Sequence, residues 1–152
     1  MVENEKKSAK AQNKERGGKR ETKIPKYRNL IPGEIADLLY QKIVEKVIVQ
    51  KKYKEANYLA KDLAKDLHTN TRYLSAVINN RFGMNYSNLV NTYRIRESLG
   101  FLTDKRYPNR SVESISAMVG FANRQSFYAA FNKQMNESPN EYRKNHLQST
   151  TK

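Results

Sequence analysis

LAKDLAKDLHTNTRYLSAVINN, from Leu59 to Asn80, and VESISAMVGFANRQSFYAAFNK, from Val112 to Lys133, decide the reading of this chain because they carry one pattern twice. In each, a short segment with an apolar stripe is followed by a tight break, an asparagine able to cap a helix, and a second short segment with its own stripe. Each therefore predicts a helix-turn-helix unit. In such a unit the first helix braces the second, and the second can lie in the major groove of DNA with its leading turn toward base edges. Two of them in one small basic chain point to double-stranded DNA as the partner.

In the first unit a helix from about Leu59 to Leu67 is expected to turn Leu59, Leu63 and Leu67 inward. His68 and Thr69 break it, Asn70 caps the next helix, and Leu74, Val77 and Ile78 face the core, leaving Thr71, Arg72, Ser75, Ala76 and Asn79 outward. In the second, Ser111 caps a helix with Val112, Ile115 and Val119 inward, Gly120 permits the break and Phe121 plugs the turn. Asn123 then caps a helix burying Phe127, Ala130 and Phe131, with Arg124, Gln125, Tyr128 and Ala129 outward.

Outside the units, Pro32 suits a first helical turn, and Ile35, Leu38, Leu39, Ile43 and Val47 recur at helical spacing on a segment ending near Gln50. A longer helix, about Tyr86 to Leu102, joins the units through Leu89, Val90, Tyr93, Leu99 and Leu102. Ser138, Pro139 and Glu141 form a capping box that opens a final helix. No strand pattern competes, so the expected fold is all-α, with about seven helices in two lobes sharing the connecting helix. The boundaries are a disordered basic tail over 1–29, an amphipathic helix over 30–52, the first lobe with the connecting helix over 53–103, the second lobe over 104–146, and a disordered end over 147–152.

Composition narrows the class. The 29 Lys and Arg against 15 Asp and Glu, formally +14, favour a polyanion. Ten of those basic residues fall in the first 29, which are almost devoid of apolar side chains; such a tail could be inert or could add phosphate contacts. The absence of cysteine excludes disulfides and thiol chemistry, and two distant histidines, His68 and His146, leave no basis for a metal or other cofactor. No apolar run approaches the roughly 18 residues of a membrane span. The expectation is a soluble, cytoplasmic protein.

The segment SVESISAMVGFANRQSFYAAFNKQMNESPNEYRK closely resembles the signature region of the AraC/XylS family of bacterial transcription regulators, with Gly120, Phe121, Phe127, Phe131, Lys133, Pro139, Tyr142 and Arg143 at the matching places. The first unit resembles the family's other half through Leu63, Ala64, Tyr73, Leu74, Ser75, Gly83 and the run NTYRIRES from Asn91 to Ser98, and its YLSAVINN looks like the form common in Bacteroidetes proteins. The resemblance spans about Tyr53 to Lys144. Ser116, Asn132 and Asn136 depart from the family's usual alanine, lysine and glycine; a serine there needs a hydrogen-bond partner, and asparagine tolerates a left-handed backbone.

The resemblance implies two recognition helices entering successive major-groove segments about 34 Å apart. By matching position the base readers are Arg72 and Ser75, then Arg124, Gln125 and Tyr128, while Thr71 and Asn79 join them as outward residues of the first recognition helix. Side-chain chemistry agrees, since Arg pairs bidentately with guanine and Gln with adenine. Phosphate contacts are expected from the capping residues Asn70, Ser111 and Asn123 and from Arg81, Lys133 and Arg143, each of which could instead be simply solvated. Arg94 and Arg96 suit an internal ion pair at least as well as DNA. A small-molecule effector is not expected, because polar residues stand where many family members carry a sensing domain, and a monomer is expected over a dimer. The function implied is a sequence-specific regulator that contacts RNA polymerase or excludes it. An accessory protein of mobile-element excision or recombination would use the same fold. An enzyme is not expected, since no triad, metal cluster or phosphate-cradling loop is present.

Overall fold

The computed structural model describes residues 32–149, and within them the chain is all-α. Seven α-helices lie in the described part: α1 (Gly33–Ile43), α2 (Ala60–Asp66), α3 (Thr71–Phe82), α4 (Tyr86–Leu102), α5 (Val112–Val119), α6 (Arg124–Met135) and α7 (Pro139–Ser149). The basic tail lies outside the described residues. Helix α1 widens into a π-helical turn over Val44–Val49, and a 3₁₀ turn over Lys52–Lys54 leads to the first unit. Pro32 stands just before α1 rather than in its first turn. At the other end α7 runs to Ser149, three residues into the stretch expected to be disordered.

Two cores form, and α4 feeds both. Leu89 and Val90 join Leu39, Ile43, Val47, Leu63, Leu74 and Ile78 in the first, and Ile95 and Leu102 join Ile115, Val119, Phe127 and Phe131 in the second. The second is aromatic: Phe127 meets Phe121 at 5.2 Å and Phe131 at 5.7 Å between ring centroids, geometries that add to plain area burial.

Both units close their first helix in the same way. The Thr69 N–H reaches back to the Ala64 carbonyl at 2.9 Å, and the Phe121 N–H to the Ser116 carbonyl at 3.0 Å, each across a residue in the left-handed region, His68 (φ 55°) and Gly120 (φ 109°). The following helices start on asparagine side chains, Asn70 accepting from the Tyr73 N–H at 2.9 Å and Asn123 from the Ser126 N–H at 2.8 Å. Ser116 finds its partner in the Asn123 carbonyl at 3.4 Å, and Asn136 takes the left-handed C-cap of α6. Ser138 and Glu141 cap α7 reciprocally, each bond 3.1 Å.

Four apolar assignments need correction. Leu59 is half exposed because it is the extended N-cap of α2, outside the helical stripe that buries Leu63 and half-buries Leu67. Ile35 and Leu38 are also more than half exposed: α3 packs on α1 and covers only the narrow line of Leu39, Ile43 and Val47. Ala76, expected outward, is buried.

Candidate nucleic-acid interface

The lobes are locked together before any ligand is considered. Along α4 a line spaced by four residues, Val90, Arg94, Ser98 and Leu102, is buried throughout, although its middle is polar. Arg94 Nε donates to the Tyr53 carbonyl at 2.5 Å and its Nη2 to the Glu55 carbonyl at 3.2 Å, while Nη1 reaches Asn91 Oδ1 at 3.3 Å and the guanidinium lies over the Phe121 ring. Burial lowers the Arg94 pKa from its ordinary value, and these oxygen partners offset part of the cost of the buried charge. Arg94 is therefore internal, as the sequence allowed, but its partners are carbonyls and not a carboxylate. Arg96 stays exposed, stacked over Tyr93.

One turn on, Glu97 accepts from the Tyr53 hydroxyl at 2.8 Å and from Lys54 Nζ at 3.1 Å, with Lys51 at 3.6 Å. Burial alone would raise the Glu97 carboxyl, but the tyrosine and lysine donors hold it below its ordinary value. Gly120 completes the joint. A Cβ there would lie 2.5 Å from the Tyr53 carbonyl oxygen and 2.7 Å from the Lys54 backbone, so the turn of the second unit packs on the 3₁₀ turn ahead of the first.

On this frame α3 and α6 set out their polar faces. Thr71, Arg72 and Asn79 are exposed, Ser75 is half-buried, and the Asn79 amide bonds back to the Ser75 carbonyl at 2.8 Å. Gln125 is exposed, and Arg124 is held ready: its guanidinium lies 4.9 Å from the Tyr128 ring centroid and donates to the Tyr128 hydroxyl and to Glu113 Oε1, both at 3.2 Å. The Tyr128 hydroxyl raises the Arg124 pKa, with Glu113 adding to it. Tyr128 is half-buried, its ring edge against Phe127, and so serves partly as a prop.

The phosphate candidates divide. Asn70, Ser111 and Asn123 are exposed helix caps, and Lys133 is exposed on α6. Arg81 turns away, pairing with Asp37 and lying over Tyr40 of α1. Arg143 is half-buried and donates to the Leu102 carbonyl at 3.3 Å and the Arg110 carbonyl at 2.5 Å. Both have partners within the chain.

Between the units lies a cleft of about 480 Å³ bordered by Ser75 of α3, by Asn85, Ser87 and Asn91 at the start of α4, and by Ser126 of α6. Among the described residues no Asp or Glu lines it. These α4 residues escaped the sequence reading. The signal was present, since Asn85 precedes YSNL as Asn70 precedes TRYL, and it caps α4 by accepting from the Asn88 N–H at 2.8 Å. Among the described residues no helix is long and apolar enough to cross a membrane, and no group of three or more His, Cys, Asp or Glu could hold a metal ion.

A paired helix-turn-helix body with asparagine-capped second helices defines a class, and the comparisons fix the family. Residues 63–145 match the model of a family described as "Helix-turn-helix domain". A Bacillus subtilis (strain 168) protein described as "Uncharacterized HTH-type transcriptional regulator YtdP" is 26% identical over 110 residues, covering 71% of this chain but only 14% of that protein. A protein of unknown function from Listeria innocua superposes with a TM-score of 0.63 at 25% identity, over 70% of this chain and 96% of that one. An AraC-type transcriptional regulator from Chromobacterium violaceum does so with a TM-score of 0.61 at 20% identity, over 74% and 97%. The chain belongs to the AraC/XylS family of helix-turn-helix transcription regulators.

Proposed function

We propose that this chain binds double-stranded DNA sequence-specifically and regulates transcription, with α3 and α6 reading two successive major-groove segments. The observation that carries the reading is the shared cleft. Ser75, one turn beyond Arg72, and Ser126, in the first turn with Arg124, border the same hollow, whose lining among the described residues holds no acid, and this supports reading ends that face one side of the body. Arg72 and Arg124 are then the guanine readers, Gln125 the adenine reader, and Thr71, Ser75, Asn79 and Tyr128 their flanking contacts. Asn70, Ser111, Asn123 and Lys133 supply phosphate contacts. The family is one of DNA-binding regulators and not of enzymes.

The test is selection of bound duplexes from a random pool. The expected product is an asymmetric site with two blocks one helical turn apart, about 10 base pairs centre to centre. A single short block, or no enrichment, would overturn the two-helix reading. Footprints over promoters separate a regulator, which contacts or excludes RNA polymerase, from an accessory protein of recombination.

A further inference from the structure

A second cleft, about 210 Å³, opens on the other side of the α4 start, bordered by Asn88, Thr92, Lys133 and Gln134. Asn91 lines both this cleft and the larger one, so the two adjoin across the first turns of α4. Among the described residues, no Asp or Glu lines either cleft. Their polar side chains are serine, threonine and tyrosine hydroxyls, asparagine and glutamine amides, and the cations Arg94 and Lys133. Such a surface is rich in donors, and it lacks the carboxylates that would repel a polyanion. At its waist, Arg94 takes the Asn91 carbonyl oxygen at 3.3 Å, which leaves the Asn91 amide nitrogen to donate.

A protein that reads two successive major-groove segments from one side must also pass the sugar-phosphate strands between them. We infer that the track across the α4 start, from Ser87 through Asn91 to Lys133, seats that intervening phosphate strand, so that the joint between the lobes is itself a DNA-binding surface. The inference rests on the two-helix reading proposed above. It assigns a nucleic-acid role to Ser87, Asn88 and Asn91, on a helix whose other work is to hold the lobes together. Neutral donors suit the task, because a strand contacted between reading blocks must be held regardless of its sequence.

Opposite charges introduced at Ser87 test this without threatening the fold. Ser87 is exposed in the first turn of α4, where an aspartate favours the helix dipole and a lysine opposes it. With the full chain and its selected duplex at 0.1 M salt, Ser87→Asp should weaken binding about fivefold, the order of one unit charge near 4 Å in water. Ser87→Lys should tighten it and steepen the salt dependence by about one phosphate. The two effects run opposite to those on helix stability, so a structural origin cannot mimic them. Neutral methylphosphonate linkages placed one at a time between the two blocks should weaken the wild type at one or two positions. If both variants and all the neutral linkages bind like wild type while Arg124→Ala still lowers the preference for the site, the inference is overturned and the two-helix reading stands. If no duplex is preferred at all, both fall.

Discussion

Gly120 and the Tyr53 carbonyl oxygen face one another so closely that a methyl group on Gly120 would sit 2.5 Å from that oxygen. The turn of the second unit is therefore glycine for two reasons, a φ of 109° and the absence of space. Gly120→Ala is expected to cost about 2–4 kcal/mol, combining a strained backbone with displacement of the 3₁₀ turn. His68 holds the equivalent place in the first unit at φ 55°, so His68→Gly should be neutral or stabilise by up to about 1 kcal/mol. Urea unfolding of the two variants checks the contrast, and equal losses would refute it.

Arg124 is braced by Glu113 and Tyr128 on an exposed surface, and its partners differ in their consequences. Removing the guanidinium in Arg124→Ala should lower the preference for the selected duplex over random duplex by about 1–3 kcal/mol. Glu113→Gln removes a negative charge that competes with the DNA for that guanidinium, and should tighten binding a few-fold, more so at low salt. Titrations at two salt concentrations test both; unchanged selectivity in Arg124→Ala would remove Arg124 from the readers.

Arg143 and Arg81 should behave as structural residues. Arg143→Ala removes two bonds to backbone carbonyls, so it should destabilise by about 1–3 kcal/mol and leave the slope of log affinity against log salt unchanged. Lys133→Ala should do the reverse, flattening that slope by about 0.9 with little effect on stability. A lowered slope in Arg143→Ala would restore it to the phosphate contacts.

Acid should unlock the joint. Glu97 is held below its ordinary pKa in the native state, so its contribution is complete above the usual carboxylate range and is lost as pH falls through the lowered native value. Stability should decline below about pH 4–5, and Glu97→Gln should flatten that decline while costing about 1–3 kcal/mol at neutral pH. Thermal unfolding between pH 3 and 7 is the measurement, and an identical acid limb in the variant would exclude Glu97 as its source.

What the sequence made legible was local. Capping asparagines and apolar spacing announce α2 through α7, because each signal lies within a turn of the structure it produces. The joint was not legible, since it pairs Arg94 with Tyr53 and Glu55, and Glu97 with Tyr53 and Lys54, across roughly forty residues. Apolar periodicity also passes over polar members of a buried line. The spacing from Val90 to Leu102 runs through Arg94 and Ser98, and only the packing of the second unit's turn explains why they are inside. On α3 and α6, exposure of Arg72, Arg124 and Gln125 followed from helix phase. The internal partners of Arg81 and Arg143 did not, because the positions of α1 and α7 against α3 and α4 are tertiary facts.

Since both cores are threaded on α4, that helix acts as a gauge block for the whole molecule. One residue inserted between Val90 and Ile95 would turn one lobe against the other by about 100° and slide it about 1.5 Å. Under the proposed two-segment reading, a change too small to unfold either core would thus put α3 and α6 out of phase with the pitch of the double helix, and evolution can retune such a protein's target letters far more easily than the distance between its words.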